Sequence, residues 1–180
     1  MRLCVLVPAS NEQESIADVL VSIPKHLGSD VEVETIVIDD GSTDDTAAIA
    51  RNSGATVVSH EKRSGLAEAF RTGLKVALAR SADLIATLDA DGQYKGEELA
   101  LPLQRMRETD ADLVVGDRQV RTLRHMPMKH RIGNIVGSAM LRFLRCTNVA
   151  DASSGFRLFT VRFGRTLAID RKSTRLNSSH

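Results

Sequence analysis

Short apolar runs alternate with amphipathic stretches along the first two thirds of the chain. The runs predict strands at Arg2–Pro8, Val33–Ile38, Ala55–Ser59, Asp83–Leu88 and Asp112–Val115. Apolar residues at helical spacing predict helices over Asn11–Lys25, from Ser42 or Thr43 to about Asn52, over Gly65–Arg80 and over Glu97–Glu108, with Asn11 and then Ser42 or Thr43 as caps. Strict alternation of strand and helix predicts an α/β fold, with helices on both faces of a mostly parallel sheet.

Polar and acidic residues follow the predicted strands, at the edge where ligands bind in such sheets. Asp89 and Asp91 end one strand, Gly92 permits a turn, and Gln93 adds another oxygen. Oxygen-only ligands suit Mg²⁺ or Mn²⁺ rather than zinc. A solvated acidic turn is the alternative, and Asp-x-Asp alone does not separate the two.

A second acidic strand end begins at Asp39, whose carboxylate is a candidate ligand for a ribose hydroxyl or a base N–H. The alternative is that the aspartates here only favour the start of the next helix. Arg63 and Arg71 are candidates for contacting a diphosphate. The small residues at Gly65, Ala69 and Gly73 fit equally well with close packing of a helix on the sheet.

Charge is divided unevenly along a chain whose net charge is only +1. Residues 1–117 carry 11 Lys and Arg against 21 Asp and Glu, whereas residues 118–169 carry 10 against the single acid Asp151. The basic part predicts a site for something anionic, although the two parts would also attract each other. Aromatic residues make up only 3% and Trp is absent, so no nucleic-acid partner is expected.

The cellular compartment and any contact with a membrane are predicted from the cysteines and from the lengths of the apolar runs. Cys4 and Cys146 form no disulfide framework or zinc pattern, and no apolar run reaches about 18 residues, which favours a cytoplasmic protein. A helical stripe over residues 132–144 lies in a basic stretch and would either pack on the core or lie on an anionic membrane surface.

The last eleven residues, Asp170–His180, show no apolar periodicity and resemble the translation of a sequencing-library adapter. We therefore expect one catalytic domain over residues 1–169, incomplete at its C-terminal end, followed by an artefactual disordered tail over residues 170–180.

Seven motifs follow one another in the order VPASNEQESI, VIDDGSTDDT, GLAEAFRTGL, TLDADGQY, VVGDR, HRIGN and DASSGFRLF. Together they resemble family 2 glycosyltransferases, and most of all the dolichyl-phosphate mannosyltransferase branch, which transfers sugars to polyprenyl phosphates. The resemblance covers nearly all of Arg2–Phe159. It implies a GT-A fold with a Rossmann-like sheet, a nucleotide-sugar donor linked to uridine or guanosine, and a divalent metal.

The resemblance also implies roles for individual residues. The nucleotide-sugar would be bound by Pro8, Ala9, Glu12, Asp39 and Asp89. Arg71, the candidate diphosphate contact given above, would join them. Asp89, Asp91 and Gln93 would hold the metal, and Asp91 would therefore be catalytic. Arg118 and Arg131 would meet the acceptor phosphate, and Asp151 matches the position of a proposed catalytic carboxylate. Ser10 and Tyr94 depart mildly from the family, which more often has an aromatic residue and a histidine there.

The implied reaction is a metal-assisted, inverting transfer of a sugar to a polyprenyl phosphate, at the cytoplasmic face of a membrane in the intact protein. Two alternatives stay open at this point. The acceptor would instead be a saccharide hydroxyl, with Asp151 as general base, or the chain would be a non-catalytic nucleotide-binding domain.

Overall fold

The computed structural model describes residues 1–92, 94–116 and 156–167. Seven strands lie in these described ranges: β1 (Arg2–Ala9), β2 (His26–Leu27), β3 (Val31–Asp39), β4 (Thr56–Ser59), β5 (Leu84–Thr87), β6 (Leu113–Val115) and β7 (Arg157–Thr160). The helices are α1 (Ile16–Ser22), α2 (Thr46–Asn52), α3 (Leu66–Ala79) and α4 (Ala100–Thr109), with a 3₁₀ turn at Gly96–Leu99 before α4 and a further helical segment over residues 161–167. All five predicted strands are confirmed, with slightly shifted ends.

The strands form one sheet in the order β2-β3-β1-β5-β7-β6, with β4 also paired to β3. β1 runs parallel to β3 and β5, and β3 runs parallel to β4. β7 lies antiparallel between β5 and β6, and the two-residue β2 pairs antiparallel with β3. The mostly parallel sheet is therefore confirmed, and the antiparallel strands β2 and β7 are additions that the apolar pattern did not predict.

Helices cover both faces of the sheet, as predicted. On one face, buried residues of α1, α2 and α4 pack with alternate residues of β1 and β5. On the other face, α3 packs through Ala69, Leu74 and Ala77 against a layer that includes Leu6 and Ile38. A Cβ added to Gly73 would lie 2.8 Å from the Cδ1 atom of Ile38, so the small residues of this helix serve close helix–sheet packing.

Two predicted helix starts are wrong. Asn11 adopts a left-handed conformation with φ of 59°, and its side-chain oxygen accepts a hydrogen bond from the Thr43 amide at 2.9 Å. α1 therefore begins only at Ile16. Likewise α2 begins at Thr46, whose amide donates to the Asp44 carboxylate at 3.0 Å. The side chains predicted to be caps instead join two distant loops, because Asn11 accepts from the Thr43 amide and the Ser42 hydroxyl accepts from the Asn11 amide at 2.9 Å.

None of the helices in the described ranges is both long and apolar enough to span a bilayer.

Candidate active site

The carboxyl ends of the central parallel strands meet at one edge of the sheet. Ala9 at the end of β1 is in register with Asp39 at the end of β3, and the Asp40 amide donates to the Ala9 carbonyl at 2.8 Å. Ala9 is buried, and Pro8 before it is half-buried. The structure thus brings Pro8, Ala9 and Asp39 together, as the positions of the motifs predicted.

The loops that follow β1 and β3 are joined by reciprocal hydrogen bonds. The Asn11 amide donates to the Ser42 hydroxyl at 2.9 Å, and the Glu12 amide donates to the Thr46 hydroxyl at 2.8 Å. The Glu12 carboxylate accepts from Ser15 Oγ at 2.9 Å. These contacts fix the backbone of Glu12 beside the β3 end, so its half-buried side chain lies at the predicted site.

Asp39 is a buried carboxylate, with only 5% of its surface exposed. Its Oδ1 atom accepts a hydrogen bond from the Ser42 amide at 3.1 Å. Within residues 1–92, 94–116 and 156–167 this is the one partner of its side chain, and an ionised carboxylate accepts several hydrogen bonds. The second oxygen therefore retains capacity for a ligand hydroxyl or N–H, and the role of Asp39 in binding a ligand stays a prediction.

Asp40 has a different environment although it is adjacent in sequence. Its carboxylate, 4% exposed, lies 2.8 Å from His60 Nδ1 and accepts hydrogen bonds from the Ser64 and Gly65 amides at 2.8 and 2.7 Å. Burial opposes ionisation of this group, but the hydrogen bonds from His60, Ser64 and Gly65 outweigh it and lower the pKa of Asp40. Asp40 is thus committed to the protein itself rather than to a ligand.

The lowered pKa of Asp40 predicts a contribution to acid stability. An acid with a folded-state pKa below its ordinary value of 3.8 stabilises the fold above that pH, and the contribution is lost as the pH falls through the folded pKa. We expect Asp40→Asn to be less stable than wild type at neutral pH, with the difference shrinking below about pH 4. Urea denaturation of both proteins between about pH 3 and about pH 7 measures this. A constant difference over the whole range would contradict it.

The turn after β5 carries the two predicted metal carboxylates. Leu88 and Ala90 are buried and anchor the turn, whereas Asp89 is half-buried and Asp91 is exposed. Gly92 has φ of 74°, as the turn requires. Gln93 lies outside the described residues.

The carboxylates of Asp89 and Asp91 are the kind of oxygen ligand that a hard divalent cation prefers. Within the described part of the chain no three His, Cys, Asp or Glu side chains form a cluster that could hold a metal. Asp89 and Asp91 supply two carboxylates and no nitrogen or sulfur, which is the chemistry that Mg²⁺ and Mn²⁺ favour. Such a site needs further oxygen ligands, and Gln93 is the predicted source of one of them.

Aromatic packing lies next to the turn after β5, and the motifs alone did not reveal it. The buried ring of Tyr94 stacks on Phe156 with centroids 4.8 Å apart. A Cβ on Gly116 would lie 2.6 Å from Phe156, so the ends of β6 and β7 close on the same ring. Gly96 packs equally tightly on Ile23, where an added Cβ would be 2.5 Å from the Ile23 Cα. The sequence offered one indication of the stacked pair, because Tyr94 and Phe156 are aromatic residues within otherwise polar motifs.

Of the other predicted site residues, Arg71 contacts its own helix and the rest lie outside the described residues. The Arg71 guanidinium forms an ion pair with Glu68 and donates from Nε to the Ala67 carbonyl at 3.2 Å, so it is engaged with its own helix. Its role in donor binding stays a prediction. The predicted acceptor residues Arg118 and Arg131 and the carboxylate Asp151 lie outside the described residues, as do the stripe over 132–144 and the tail over 170–180.

Comparison with known proteins identifies the family. Residues 4–165 match the family model described as Glycosyl transferase family 2, and the chain belongs to this family. An uncharacterized protein of Methanocaldococcus jannaschii is 32% identical over 177 residues, covering 97% of this chain and 71% of the relative. The UDP-N-acetylglucosamine–dolichyl-phosphate N-acetylglucosaminyltransferase of Methanococcus voltae is 29% identical, with 86% and 68% covered. The polyprenol monophosphomannose synthase of Mycolicibacterium smegmatis is also 29% identical, with 88% and 61% covered.

Solved structures give the same fold. Glucosyl-3-phosphoglycerate synthase from Mycobacterium tuberculosis, in complex with phosphoglyceric acid, superposes with a TM-score of 0.67 at 27% identity. The match covers 89% of this chain and 57% of the synthase chain. The same synthase in complex with Mn²⁺, UDP and glucosyl-3-phosphoglycerate gives a TM-score of 0.62. The GT-A fold predicted from the motifs is therefore confirmed.

Proposed function

We propose that this chain transfers a sugar from a UDP- or GDP-linked donor to a polyprenyl phosphate, with inversion at the anomeric carbon. One observation carries the donor side of the proposal. The buried carboxylate of Asp39, the backbone of Pro8 and Ala9, and the Asp89–Asp91 turn all lie at the carboxyl edge of adjoining parallel strands. Relatives named for dolichyl-, polyprenol- and undecaprenyl-phosphate substrates support the acceptor side.

On this proposal the nucleoside lies against Pro8, Ala9 and Glu12, and Asp39 accepts hydrogen bonds from it. Asp89 faces the ribose and diphosphate, and Asp89, Asp91 and Gln93 hold Mg²⁺ or Mn²⁺. A divalent ion bound there supplies a Lewis acid for the charge that develops on the leaving diphosphate. The negative charge of the carboxylates otherwise opposes binding of a diphosphate, which is why metal-dependent binding is expected.

The chemical step is a single displacement. An oxygen of the acceptor phosphate forms a bond to the anomeric carbon while the bond from that carbon to the diphosphate oxygen breaks, and the electron pair leaves with the nucleoside diphosphate. A phosphate acceptor is already anionic, so Arg118 and Arg131 position it rather than deprotonate it. Access to a lipid-linked acceptor would place the intact protein at the cytoplasmic face of a membrane.

A second candidate has its own support. The similarity to glucosyl-3-phosphoglycerate synthase favours a small phosphorylated acceptor, whose hydroxyl would be glycosylated. A hydroxyl needs a general base, and Asp151 is the candidate for it. Assaying turnover with a short polyprenyl phosphate, with phosphoglyceric acid and with an oligosaccharide separates these acceptors. Arg118→Ala and Arg131→Ala should reduce turnover with the polyprenyl phosphate.

Calorimetric titration tests the donor site first. UDP-glucose and GDP-mannose are each titrated into the chain with and without Mn²⁺, and binding of one of them that requires the metal is expected. Circular dichroism on the same sample establishes that it is folded. A folded protein that binds neither nucleotide overturns the proposal, and metal-independent binding without turnover favours a non-catalytic nucleotide-binding domain.

A further inference from the structure

Two aspartates of the chain are followed directly by glycine, in the pairs Asp40–Gly41 and Asp91–Gly92. The carboxyl group of an Asp–Gly pair is open to attack by the next amide nitrogen, because glycine has no Cβ to obstruct ring closure. Both glycines also have positive φ, 68° and 74°. The two pairs therefore share the same local chemistry, and only their surroundings distinguish them.

The pair Asp40–Gly41 is enclosed by the protein. The Asp40 carboxylate is 4% exposed and accepts hydrogen bonds from the Ser64 and Gly65 amides at 2.8 and 2.7 Å. A Cβ at Gly41 would lie 2.4 Å from the Arg63 amide nitrogen, so packed backbone leaves the pair no room to rearrange. Ring closure here requires the local structure to open, and it is limited to the small opened fraction of molecules.

The pair Asp91–Gly92 lies on the turn after β5. Both residues are exposed, and among the described residues nothing lies within 4 Å of the Cβ position at Gly92. The buried residues Ala90 and Tyr94 hold the two ends of the turn, while its middle is accessible to water. Ring closure at this pair therefore does not require a packed neighbour to move aside.

We propose that Asp91–Gly92 is a site of spontaneous isomerisation of aspartate to isoaspartate, and that a divalent ion on the Asp91 carboxylate suppresses it. The isomerisation is independent of the proposed function, whereas its suppression by a metal rests on that function. Asp40–Gly41, although identical in sequence, is protected by burial.

The reaction consists of ring closure and ring opening, and its only co-reactant is water. The Gly92 amide nitrogen forms a bond to Asp91 Cγ, and one carboxyl oxygen leaves as water with the amide proton and a proton from solvent. Water then opens the cyclic imide. Breaking the bond from nitrogen to Cγ restores aspartate, whereas breaking the bond from nitrogen to the main-chain carbonyl carbon of Asp91 leaves isoaspartate.

Isoaspartate changes both the backbone and the carboxylate of the turn. The main chain then passes through Cβ and Cγ of residue 91, so the backbone is one methylene longer. The remaining carboxylate is attached directly to Cα and is displaced from its former position. Mg²⁺ tolerates little deviation from octahedral geometry, so the protein would lose by ageing the ligand that Asp91 is proposed to provide.

Peptide mapping of protein stored at neutral pH with a chelator measures the reaction without an activity assay. Trypsin places the two pairs in separate peptides, residues 81–95 and residues 26–51. Isomerisation leaves the mass unchanged, so the isomers are separated by chromatography and located by electron-transfer fragmentation. Isoaspartate should accumulate at Asp91 at least about tenfold faster than at Asp40.

Urea-denatured protein is the matched control for the effect of sequence. Without the fold both pairs are exposed to solvent, so their rates of isomerisation should become similar. Similar rates at Asp91 and Asp40 in the folded protein would overturn the proposal. A large difference that persists in urea would also overturn it, because flanking sequence rather than burial would then decide the rate.

Two variants test the atoms that react. Gly92→Ala should slow isomerisation several-fold, because the added methyl group hinders the attacking amide nitrogen. Asp91→Glu should abolish it, since a side chain one methylene longer has to close a larger ring. The second variant introduces no strain at a positive φ, so it decides the question if the first folds poorly. An isomer of the peptide 81–95 that still accumulates in Asp91→Glu would place the reaction at another residue and contradict the proposal.

Suppression by metal is measured on the same peptides. Mg²⁺ together with UDP should slow isomerisation at Asp91 several-fold relative to UDP alone, because the ion fixes the carboxylate away from the amide nitrogen. The rate at Asp40 should not change. Metal-dependent binding of UDP with an unchanged rate at Asp91 contradicts the suppression alone. A folded protein that binds neither UDP nor a GDP-linked nucleotide contradicts the proposed function, whereas isoaspartate formed at Asp91 without metal still supports the modification site.

Discussion

Asp91→Asn is expected to lower turnover by about a thousandfold while changing the free energy of unfolding by less than about 1 kcal/mol. Asp91 is exposed on the turn after β5, so its side chain adds little to the core. The substitution keeps the shape of the side chain and removes the negative charge that a divalent ion requires. The loss should appear chiefly in kcat, since charge on the leaving group is greatest in the transition state.

Turnover is measured as release of nucleoside diphosphate over a range of Mn²⁺ concentrations, with urea denaturation of the same samples. Asp45→Asn is the matched control, because it removes the same charge from an exposed residue at the same edge of the sheet, at the start of α2. It should retain nearly full activity. Asp91→Asn with more than about a tenth of wild-type turnover, or with an unchanged dependence on metal, would show that the carboxylate does not serve the metal.

Gly41→Ala should destabilise the fold by about 3 kcal/mol or more, whereas Gly54→Ala should cost only about 1–2 kcal/mol. Both glycines have positive φ, 68° and 85°, so both substitutions incur the same kind of backbone strain. They differ in surroundings. The new methyl group at Gly41 would collide with the backbone of Lys62 and Arg63, whereas nothing lies within 4 Å of the Cβ position at Gly54.

Urea denaturation of the two variants and wild type measures the difference, and the Gly54 variant isolates the conformational part of the cost. The Gly41 variant should also bind nucleotide more weakly, because the loop between β4 and α3, residues 60–65, has to move away from the end of β3. Equal losses of stability would mean that the loop shifts at almost no cost and is therefore not held tightly.

Apolar runs were sufficient to predict β1, β3, β4, β5 and β6, because helices cover both faces of an α/β sheet and its strands are therefore rich in apolar residues. The edge of the sheet at which Asp39 and Asp89 lie could also be predicted, since these polar residues come directly after such runs. The antiparallel β7 was missed because four residues, Arg157–Thr160, contain no periodic signal of their own. These four residues form a strand because they hydrogen-bond to β5 on one side and to β6 on the other.

The helix starts and the details of the site depended on contacts between distant residues. Asn11 is a good cap by local rules, yet its side chain is used by Thr43 on another loop. The different roles of Asp39 and Asp40 follow from strand geometry, because neighbouring residues of an extended chain point to opposite sides. That argument was available from the sequence, but the partners of Asp40 on a segment 20 to 25 residues later were not.

The position of β7 in the sheet has a consequence for synthesis of the protein. β7 comes last of the seven strands in the chain, yet it lies between β5 and β6. β1, β3, β4 and β5 come from contiguous sequence, whereas among the described strands β6 pairs only with β7, which ends at Thr160. Before β7 is translated, no other described strand covers the side of β5 away from β1, and an uncovered strand edge of this kind invites pairing with another chain. A pause in translation between residues 115 and 157 would prolong this exposure, so codon choice in that stretch should influence the yield of soluble protein.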